Sequence, residues 1–315
     1  MNLKKKVLAA VIAGGLLFNG GNALITSAAD NMLAFKEAYL AETDNNRTFK
    51  LNADMFAPSY HAELNGNAFI LRDATLRSNG QINWEFTNPS TNAVANENIP
   101  FYIEQNGDTM TMYVQRNNRW SKLALPAIPV GIANALKTTN VETLQQNMSA
   151  VKSVEILRDT DEQRIMNVTL DGKKLAELIH TYNDSKIEQL AQNDRESQKS
   201  FINHLADALQ TTDLVCAWTV RKKDFKTIAA NFDLTKLIQA YGKDYLDDAA
   251  KGDITLSATD RAFYEIIGYY SELHFVVNYT DLNENSLSMP QDASSARNNA
   301  NVFDDLVQKI AATKR

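Results

Sequence analysis

Apolar and polar residues alternate with a period of two through much of the region between residues 47 and 125. In the stretch RTFKLNADMF, the apolar positions of this alternation are Phe49, Leu51, Ala53 and Met55. Because neighbouring side chains of a strand point to opposite faces of its sheet, the pattern is typical of half-buried strands. Predicted strands do not alternate with predicted helices in this region. The pattern therefore disfavours a Rossmann fold or a TIM barrel and favours an antiparallel sheet.

The stretch DTMTMYVQRNNRWSKLALP predicts a β-hairpin. Asn117 and Asn118 suit a two-residue turn because asparagine tolerates positive φ angles. That turn predicts three cross-strand pairs on one face: Met110 with Leu125, Met112 with Leu123, and Val114 with Ser121. Trp120 then falls on the opposite face. Arg116 and Arg119 meet beside the turn, where we expect water to relieve their repulsion.

A second hairpin is predicted in ATLRSNGQINWEF, because Asn79-Gly80 is a strong turn signal between strands. A three-residue loop beginning at Ser78 is favoured over a two-residue turn, since Gly80 would supply the left-handed residue of a bulge. The register of that loop pairs Leu76 with Ile82 and Ala74 with Trp84. Trp84 and Phe86 then share the apolar face.

The second half of the chain contains two similar stretches, ILRDTDEQRIMNVTLDGKKL and WTVRKKDFKTIAANFDLTKL. Asp171 aligns with Asp233, and Leu175 aligns with Leu237. Each stretch predicts a hairpin that leads into a helix whose start is capped by the aspartate. The similarity rests on few identities, so a true duplication and a chance likeness are both open.

Helical periodicity marks the start of the mature chain and most of its second half. The predicted helices are DNMLAFKEAYLAE, VGIANALK, KKLAELIHTYND, SKIEQLAQNDRESQKSFINHLADALQ, LTKLIQAYGKDYLDDAA, SATDRAFYEIIGYY and NVFDDLVQKIAA. The stretch SELHFVVNYTDL returns to strand, and MPQDASSARNNA has the composition of a linker. Together these elements predict an α+β fold with an antiparallel sheet packed by helices and extra C-terminal hairpin–helix units.

The first residues are typical of a signal peptide, because the basic MNLKKK precedes the apolar run Val7 to Phe18. We expect cleavage after Ala29; an uncleaved anchor is the alternative. The predicted organisation is a signal peptide at 1–29, one α+β domain at 30–290 with sub-units 30–149 and 150–290 as a further division, and a linker with a C-terminal helix at 291–315. We expect no lipoprotein, because no cysteine directly follows the expected cleavage site.

Net charge and motifs exclude several functions. The chain carries a net charge of −6, and loss of the three lysines of the signal peptide takes it to −9, which argues against nucleic acid and anionic lipid surfaces. No nucleotide-binding, nucleophile-elbow or zinc-protease motif occurs, so we expect no enzyme, cofactor or metal. The four histidines lie far apart in sequence, at His61, His180, His204 and His274. Cys216, in the apolar LVCAW, is expected to be a buried and inert thiol.

Acidic residues cluster in RDTDEQ and DYLDDAAKGD, but their spacing does not match that of a calcium-binding loop. The remaining candidate site is apolar. Methionine is flexible and polarizable, which suits a cavity for irregular hydrophobic ligands. The candidate ligand-binding residues are Phe49, Leu51, Met55, Trp84, Phe86, Phe101, Met110, Met112 and Leu123. An ordinary filled core is the alternative interpretation of the same pattern.

The region from Phe49 to Leu125 resembles the LolA/LprG-like superfamily of exported lipid and lipoprotein carriers. The hairpin MYVQRNNRWSKL is similar to the recurring strand–turn–Trp–x–Lys hairpin of that family, and LNGNAFI is similar to one of its early strands. The resemblance implies a strongly curved half-barrel sheet, closed by helices, around an apolar cavity for acyl chains. It covers about a quarter of the chain, and the hairpin–helix units lie outside it.

The function implied is a non-enzymatic protein of the bacterial envelope or periplasm that binds a hydrophobic small molecule or lipid. Other envelope proteins are further expected partners. Two alternatives stay open: a structural or interaction protein of the envelope with a filled core, and a hydrolase with a composite site.

Overall fold

A computed structural model describes residues 31–36, 38, 47–57, 60–70, 76–88, 90–106, 109–125, 148–188, 192–280, 287–299 and 301–312. The strands are β1 (Arg47–Ala57), β2 (Tyr60–Ile70), β3 (Leu76–Thr87), β4 (Val94–Asn106), β5 (Thr109–Arg116), β6 (Arg119–Leu125), β7 (Val151–Asp159), β8 (Gln163–Leu170), β9 (Leu214–Arg221), β10 (Thr227–Asp233), β11 (Glu272–Thr280) and β12 (Arg297–Asn298). The predicted signal peptide and the predicted helix VGIANALK lie outside the described residues.

Five helices belong to the second half of the chain. They are α1 (Gly172–Ile187), α2 (Gln192–Gln210), α3 (Thr235–Lys251), α4 (Ala258–Tyr270) and α5 (Asp304–Ala312). Residues 31–36 are also helical, as predicted for the start of the mature chain. Among the described residues, no helix is both long and apolar enough to cross a membrane.

All twelve strands form a single open sheet in the order β12-β6-β5-β4-β3-β2-β1-β11-β10-β9-β8-β7. Every pair is antiparallel except the parallel pair of β12 with β6. The sheet is curved, does not close into a barrel and is packed by helices, so the predicted α+β class is confirmed. Because β1 pairs with β11, the strands of the two halves of the chain belong to one sheet.

One face of this sheet is largely apolar. The strand registers align one row of residues on that face: Ser121, Val114, Phe101, Gly80, Gly66, Leu51, Val277, Ala230, Trp218, Met166 and Ile156. The buried residues of the sheet and helices form one hydrophobic cluster. The ring of Phe35 packs edge-on against Trp218 with centroids 5.3 Å apart, so the N-terminal helical segment covers the β9 end of this face.

The hairpin of β5 and β6 has the predicted register. Asn117 and Asn118 have φ angles of 50° and 57°, which are the left-handed values that a two-residue type I′ turn requires. Met110 pairs with Leu125, Met112 with Leu123, Val114 with Ser121, and Gln115 with Trp120. The turn is local in sequence, so its chemistry was sufficient to set the register of the whole hairpin.

The predicted hairpin at Asn79-Gly80 is wrong. Both residues lie inside the continuous strand β3, and Gly80 pairs with Gly66 of β2. A Cβ atom on Gly80 would lie 2.0 Å from the carbonyl oxygen of Asn65 and 2.5 Å from the Cα of Gly66. Gly80 therefore permits the close approach of two backbones, which is a reason other than a turn for a glycine to occur within a strand. The loop register that paired Leu76 with Ile82 and Ala74 with Trp84 is replaced by pairing of β3 with β2 and β4.

The two hairpin–helix units are present, as β7–β8–α1 and β9–β10–α3. The carboxylate of Asp171 accepts hydrogen bonds from the backbone N–H groups of Lys173 (2.9 Å) and Lys174 (3.1 Å). Asp233 accepts one from the N–H of Thr235 (3.0 Å). Both aspartates thus bind N–H groups at a helix start, as the aligned stretches predicted.

Two boundaries differ from the sequence-based expectation. The helix predicted to start at Ser185 begins at Gln192, because α1 continues to Ile187. The predicted linker contains a 3₁₀ turn (Gln291–Ser295) and the short strand β12, which pairs with β6. Backbone pairing to a distant strand orders this polar stretch, which the linker composition could not indicate.

Candidate functional site

The structure divides the predicted ligand-binding residues into two groups. Phe101, Met110, Met112 and Leu123 lie side by side on β4, β5 and β6. Met55, Trp84 and Phe86 lie farther along the same face, on β1 and β3. Phe49 and Leu51 belong to β1 by their backbone register, and their side chains lie outside the described residues.

The first group is fully buried. Met112 is 0% exposed and Met110 is 1% exposed, and both belong to the hydrophobic cluster shared by sheet and helices. Cross-strand pairing places Met112 between Ile103 of β4 and Leu123 of β6. The methionines of the β5–β6 hairpin therefore face the covered, apolar side of the sheet.

The second group reaches the surface at a cleft. Trp84 is partly buried and Phe86 is buried, and both line a cleft of about 490 Å³. The ring of Trp84 stacks on Tyr60 with centroids 5.4 Å apart. Tyr60 is itself held by a 3.0 Å hydrogen bond between its hydroxyl and that of Ser271, and burial raises the pKa of Tyr60 to about 12. The apolar face thus has a described opening at this end.

Pro100 explains why the cleft forms where it does. The pairing of β4 with β5 runs from Asn106 and Thr109 to Phe101 and Val114 and then stops. Pro100 is the next residue of β4, and it has no N–H group to continue the ladder. Beyond this point the two strands separate, and the cleft is lined on both sides by their ends and closed above by α5.

Arg116 ties the walls of the cleft together. Its Nε and Nη2 atoms each donate to the Glu97 carboxylate at 2.6 Å, so this is a two-point contact across the gap between β5 and β4. Its Nη1 and Nη2 atoms donate to Asp305 of α5 at 2.6 and 2.9 Å. Nη1 also donates to the backbone carbonyl of Val302. One guanidinium therefore joins β4, β5 and the C-terminal helix.

The contact joins one positively charged and two negatively charged side chains. The Asp305 and Glu97 hydrogen bonds raise the pKa of Arg116, and the same guanidinium holds the pKa of Asp305 below its usual value of 3.8. The side chain of Arg116 is only 13% exposed, so it needs both carboxylates to offset its desolvation. The expectation that water relieves the repulsion between Arg116 and Arg119 is wrong, because Glu97 and Asp305 neutralise Arg116.

A polar cluster of a different kind lies between the helices. The Nδ1 atom of His204 on α2 lies 2.6 Å from the Asp244 carboxylate on α3, and the ring of Tyr245 stacks on His204 with centroids 3.7 Å apart. Burial raises the pKa of Asp244, and the contact with His204 opposes that rise. These residues do not line the described cleft, so they do not provide the histidine that a hydrolase site there would need.

The other sequence-based candidates occupy ordinary positions. His61 and His274 lie on the polar face of the sheet, and their side chains are 40% and 43% exposed. No group of three or more metal-binding side chains occurs in the part of the chain that the structure describes. Cys216 is buried, as predicted, and burial raises the pKa of its thiol.

Sequence reasoning missed the three residues of the Arg116 contact. Glu97, Arg116 and Asp305 are far apart along the chain and belong to no motif. The one available signal was an arginine at the end of an otherwise apolar strand face, following Met110, Met112 and Val114 at spacing two. A charged residue at that position requires a partner, although the sequence does not indicate which one.

Comparison with known proteins gives limited additional information. No protein-family model and no curated protein matches the sequence. Four solved chains match, among them the crystal structure of LprF from Mycobacterium bovis, which is 9% identical and covers 81% of this chain and 93% of that chain with a TM-score of 0.36. Likeness at this TM-score carries no functional argument, so the function is inferred from the geometry of this chain.

Proposed function

We propose that this protein is a non-enzymatic binder of a hydrophobic small molecule or lipid, exported to the bacterial envelope. The observation that carries the proposal is the largely apolar face of an open twelve-stranded sheet, which reaches the surface at a cleft of about 490 Å³ beside Trp84 and Phe86. Apolar ligand sites are typically concave, and volumes of about 300–1,000 Å³ are common for them.

The ligand would lie with its apolar part along the sheet and its polar end in the cleft. Met110 and Met112 lie deeper on this face, and methionine side chains adapt to ligands of irregular shape. The walls of the cleft also include polar residues, among them Gln115, whose side-chain amide can contact a polar end of the ligand. Both features suit an amphipathic ligand with one long apolar part.

A second candidate is an interaction protein whose core is filled. The observation that favours it is the absence of exposed surface on Met112, Ile99 and Val114, each of which is 0% exposed. A packed core and a ligand-binding face differ in how much a truncated side chain costs, which provides a direct test.

Purified protein should carry its ligand if the affinity is high. Native mass spectrometry should then show a mass above that of the chain, and organic extraction should release an apolar molecule. A fluorescent fatty acid should bind protein stripped of this molecule and should be displaced when the extract is returned. Protein that shows no added mass and does not bind the fluorescent fatty acid would contradict the proposed ligand class.

Met112 provides the energetic test. If the face accepts a ligand, Met112→Ala should cost about 2 kcal/mol or less in the free energy of unfolding, because few tight contacts are lost. A filled core should instead cost about 3–5 kcal/mol. Met112→Trp should block the fluorescent fatty acid in the first case and destabilise the fold by about 1–3 kcal/mol in the second. Urea unfolding and probe titration measure both quantities.

Trp120 provides the matched control, because the register places it on the opposite face of the same hairpin. Trp120→Ala should leave the affinity for the fluorescent fatty acid unchanged while altering stability. Loss of probe binding in this variant at unchanged stability would show that the ligand uses the polar face.

Export is a separate part of the proposal and rests on the N-terminal sequence. Cleavage after Ala29 would leave Asp30 as the first residue. N-terminal sequencing of protein recovered from the cell envelope should therefore begin with DNMLAF. Recovery of chains that begin at Met1 would instead support the uncleaved anchor.

A further inference from the structure

The first half of strand β4 pairs with β3 but has no paired strand on its other side among the described residues. β4 pairs with β3 from Val94 to Gln105, but with β5 only from Phe101 to Asn106. Within the described part of the chain, the segment from Val94 to Pro100 therefore has a neighbour on one side only. Val94 is 56% exposed, and Asn96 and Asn98 are also exposed.

The direction of the unpaired backbone groups follows from the β3–β4 turn. The N–H of Asn88 donates to the carbonyl of Ala93 at 2.9 Å, which fixes the alternation of the antiparallel ladder. The odd-numbered residues of β4 therefore bond to β3. The N–H and C=O groups of Val94, Asn96 and Asn98 point away from β3, toward the cleft. They recur every second residue, at the spacing with which another strand presents its own groups.

The two outer edges of the sheet are protected, whereas this one is not. On β7, register shifts interrupt the edge, and Lys152 and Arg158 place charges there. The β6 edge is covered by β12, which pairs at Ser121 and Lys122. The β3–β4 pairing has no register shift between Val94 and Pro100. In the described part of the strand, Pro100 lacks an N–H for pairing, and this affects only its own position.

The surroundings indicate the side chains that a strand on this edge would carry. Trp84 is partly exposed in the cleft, beside the buried side chains of Phe86 and Leu306. Arg116 is neutralised by its two carboxylates, whereas Lys309 on α5 is exposed and has no ion-pair partner among the described residues. An apolar side chain toward Trp84 and a carboxylate toward Lys309 would complement the site.

We propose that the free edge of β4 binds an extended peptide segment of a partner protein by strand addition, with an apolar and an acidic side chain as its specificity contacts. A strand satisfies the unpaired groups of Val94, Asn96 and Asn98 together, as in known strand-addition complexes. A second copy of this chain fits less well, because its own α5 and its own Asn117–Asn118 turn would accompany its β4 edge into the cleft. The proposal does not depend on a hydrophobic ligand.

The test uses peptides from a phage-displayed random heptapeptide library selected on the mature protein. The best binder is labelled with fluorescein and titrated against variants. Asn96→Pro removes one outward N–H without removing a β3 hydrogen bond, and should weaken binding at least tenfold. Asn96→Ala keeps the N–H and should stay within twofold of the wild type. Lys309→Gln should weaken binding severalfold, and added salt should weaken the wild type similarly.

A second pair of variants guards against misfolding. Val94→Pro and Val94→Ala repeat the comparison at the start of the strand. In a separate measurement, hydrogen exchange of the wild type should show the amides of Asn96 and Asn98 protected only when peptide is bound. The fluorescent fatty acid is titrated separately against wild-type protein without peptide, so the peptide proposal and the ligand proposal can fail independently.

Three results would overturn the proposal. The library could yield no binder above background, or folded Asn96→Pro and Val94→Pro could bind peptide as well as the wild type. Light scattering could also show a dimer that Asn96→Pro abolishes, which would assign the edge to a second copy of the chain.

Discussion

At the scale of single residues, two dipeptides that both favour turns adopt different structures in this protein. Asn117-Asn118 forms the turn that its tolerance of positive φ predicts. Asn79-Gly80 carries a stronger turn signal, yet it lies in mid-strand because Gly66 of β2 meets Gly80 there. The ring of Phe101 covers this point, since a Cβ on Gly66 would lie 3.1 Å from its Cζ atom. The pairing of two glycines under an aromatic ring depends on tertiary structure, although the local sequence Asn79-Gly80 is typical of a turn.

Gly80→Ala should destabilise the protein by about 3 kcal/mol or more, because the added Cβ would overlap backbone atoms of β2 that have little freedom to move. Gly252→Ala is the matched control. Its Cβ would meet no atom within 4 Å, but its φ of 89° disfavours an L residue, so a cost of about 1 kcal/mol is expected. Urea unfolding of both variants measures the difference. Equal costs would mean that β2 and β3 separate freely at Gly66.

At the scale of elements, the C-terminal segment acts as a strap across one end of the sheet. Its strand β12 pairs with β6, and its helix α5 is held through Asp305 by Arg116. α5 forms one wall of the cleft, so the attachment of this segment determines how open the cleft is. The strap is held by this short ladder, by the buried side chains of Val302 and Leu306, and by the Arg116–Asp305 contact, of which only the last depends on a carboxylate that titrates in acid.

Acid should release the strap. The pKa of Asp305 is lowered in the folded protein, so its contribution to docking is complete above about 3.8 and is lost as the pH falls through the lowered pKa. The protection factors of the α5 amides against hydrogen exchange, which correct for the intrinsic pH dependence, should therefore be constant between pH 7 and pH 5 and should fall at pH 3 relative to those of the β3 amides. In Asp305→Asn, exchange should be faster at neutral pH and should lose this acid step. An acid step of equal size in Asp305→Asn would place the titration in another group.

At the scale of the whole molecule, the sheet is open, so its stability as a monomer depends on how its edges are covered. Charges and register shifts interrupt the β7 edge, and the strap covers the β6 edge. The single sheet also joins the two halves of the chain at the β1–β11 pair, which spans nine residue pairs from Thr48 to Phe56. Damage at one edge therefore affects a sheet shared by both halves.

Deletion of residues 287–315 should convert the protein into a self-associating species. The truncation exposes the β6 backbone at Ser121 and Lys122 and leaves Arg116 with one carboxylate partner instead of two. Light scattering should show oligomers that increase with concentration, while Asp305→Asn, which keeps β12, should stay monomeric. A monomeric truncated protein would show that the β6 edge is protected without the strap.

The sequence alone determined the elements that depend on residues close together in the chain. Period-two alternation identified the strands and their buried faces, the Asn117-Asn118 turn set the register of β5 with β6, and an aspartate marked the start of each helix in the two hairpin–helix units. In each case the deciding residues lie within a few positions of each other, so side-chain geometry and turn chemistry suffice.

Tertiary structure decided everything that depends on residues far apart in sequence. It placed β1 beside β11, used Gly66 with Gly80 as a contact instead of a turn, and ordered the predicted linker against β6. The cleft lies where Pro100 and the end of β5 together stop one ladder, and its walls are joined because Arg116 meets carboxylates 19 residues before it and 189 residues after it. A buried charge and an unpaired edge require partners, but local sequence does not specify where along the chain those partners lie.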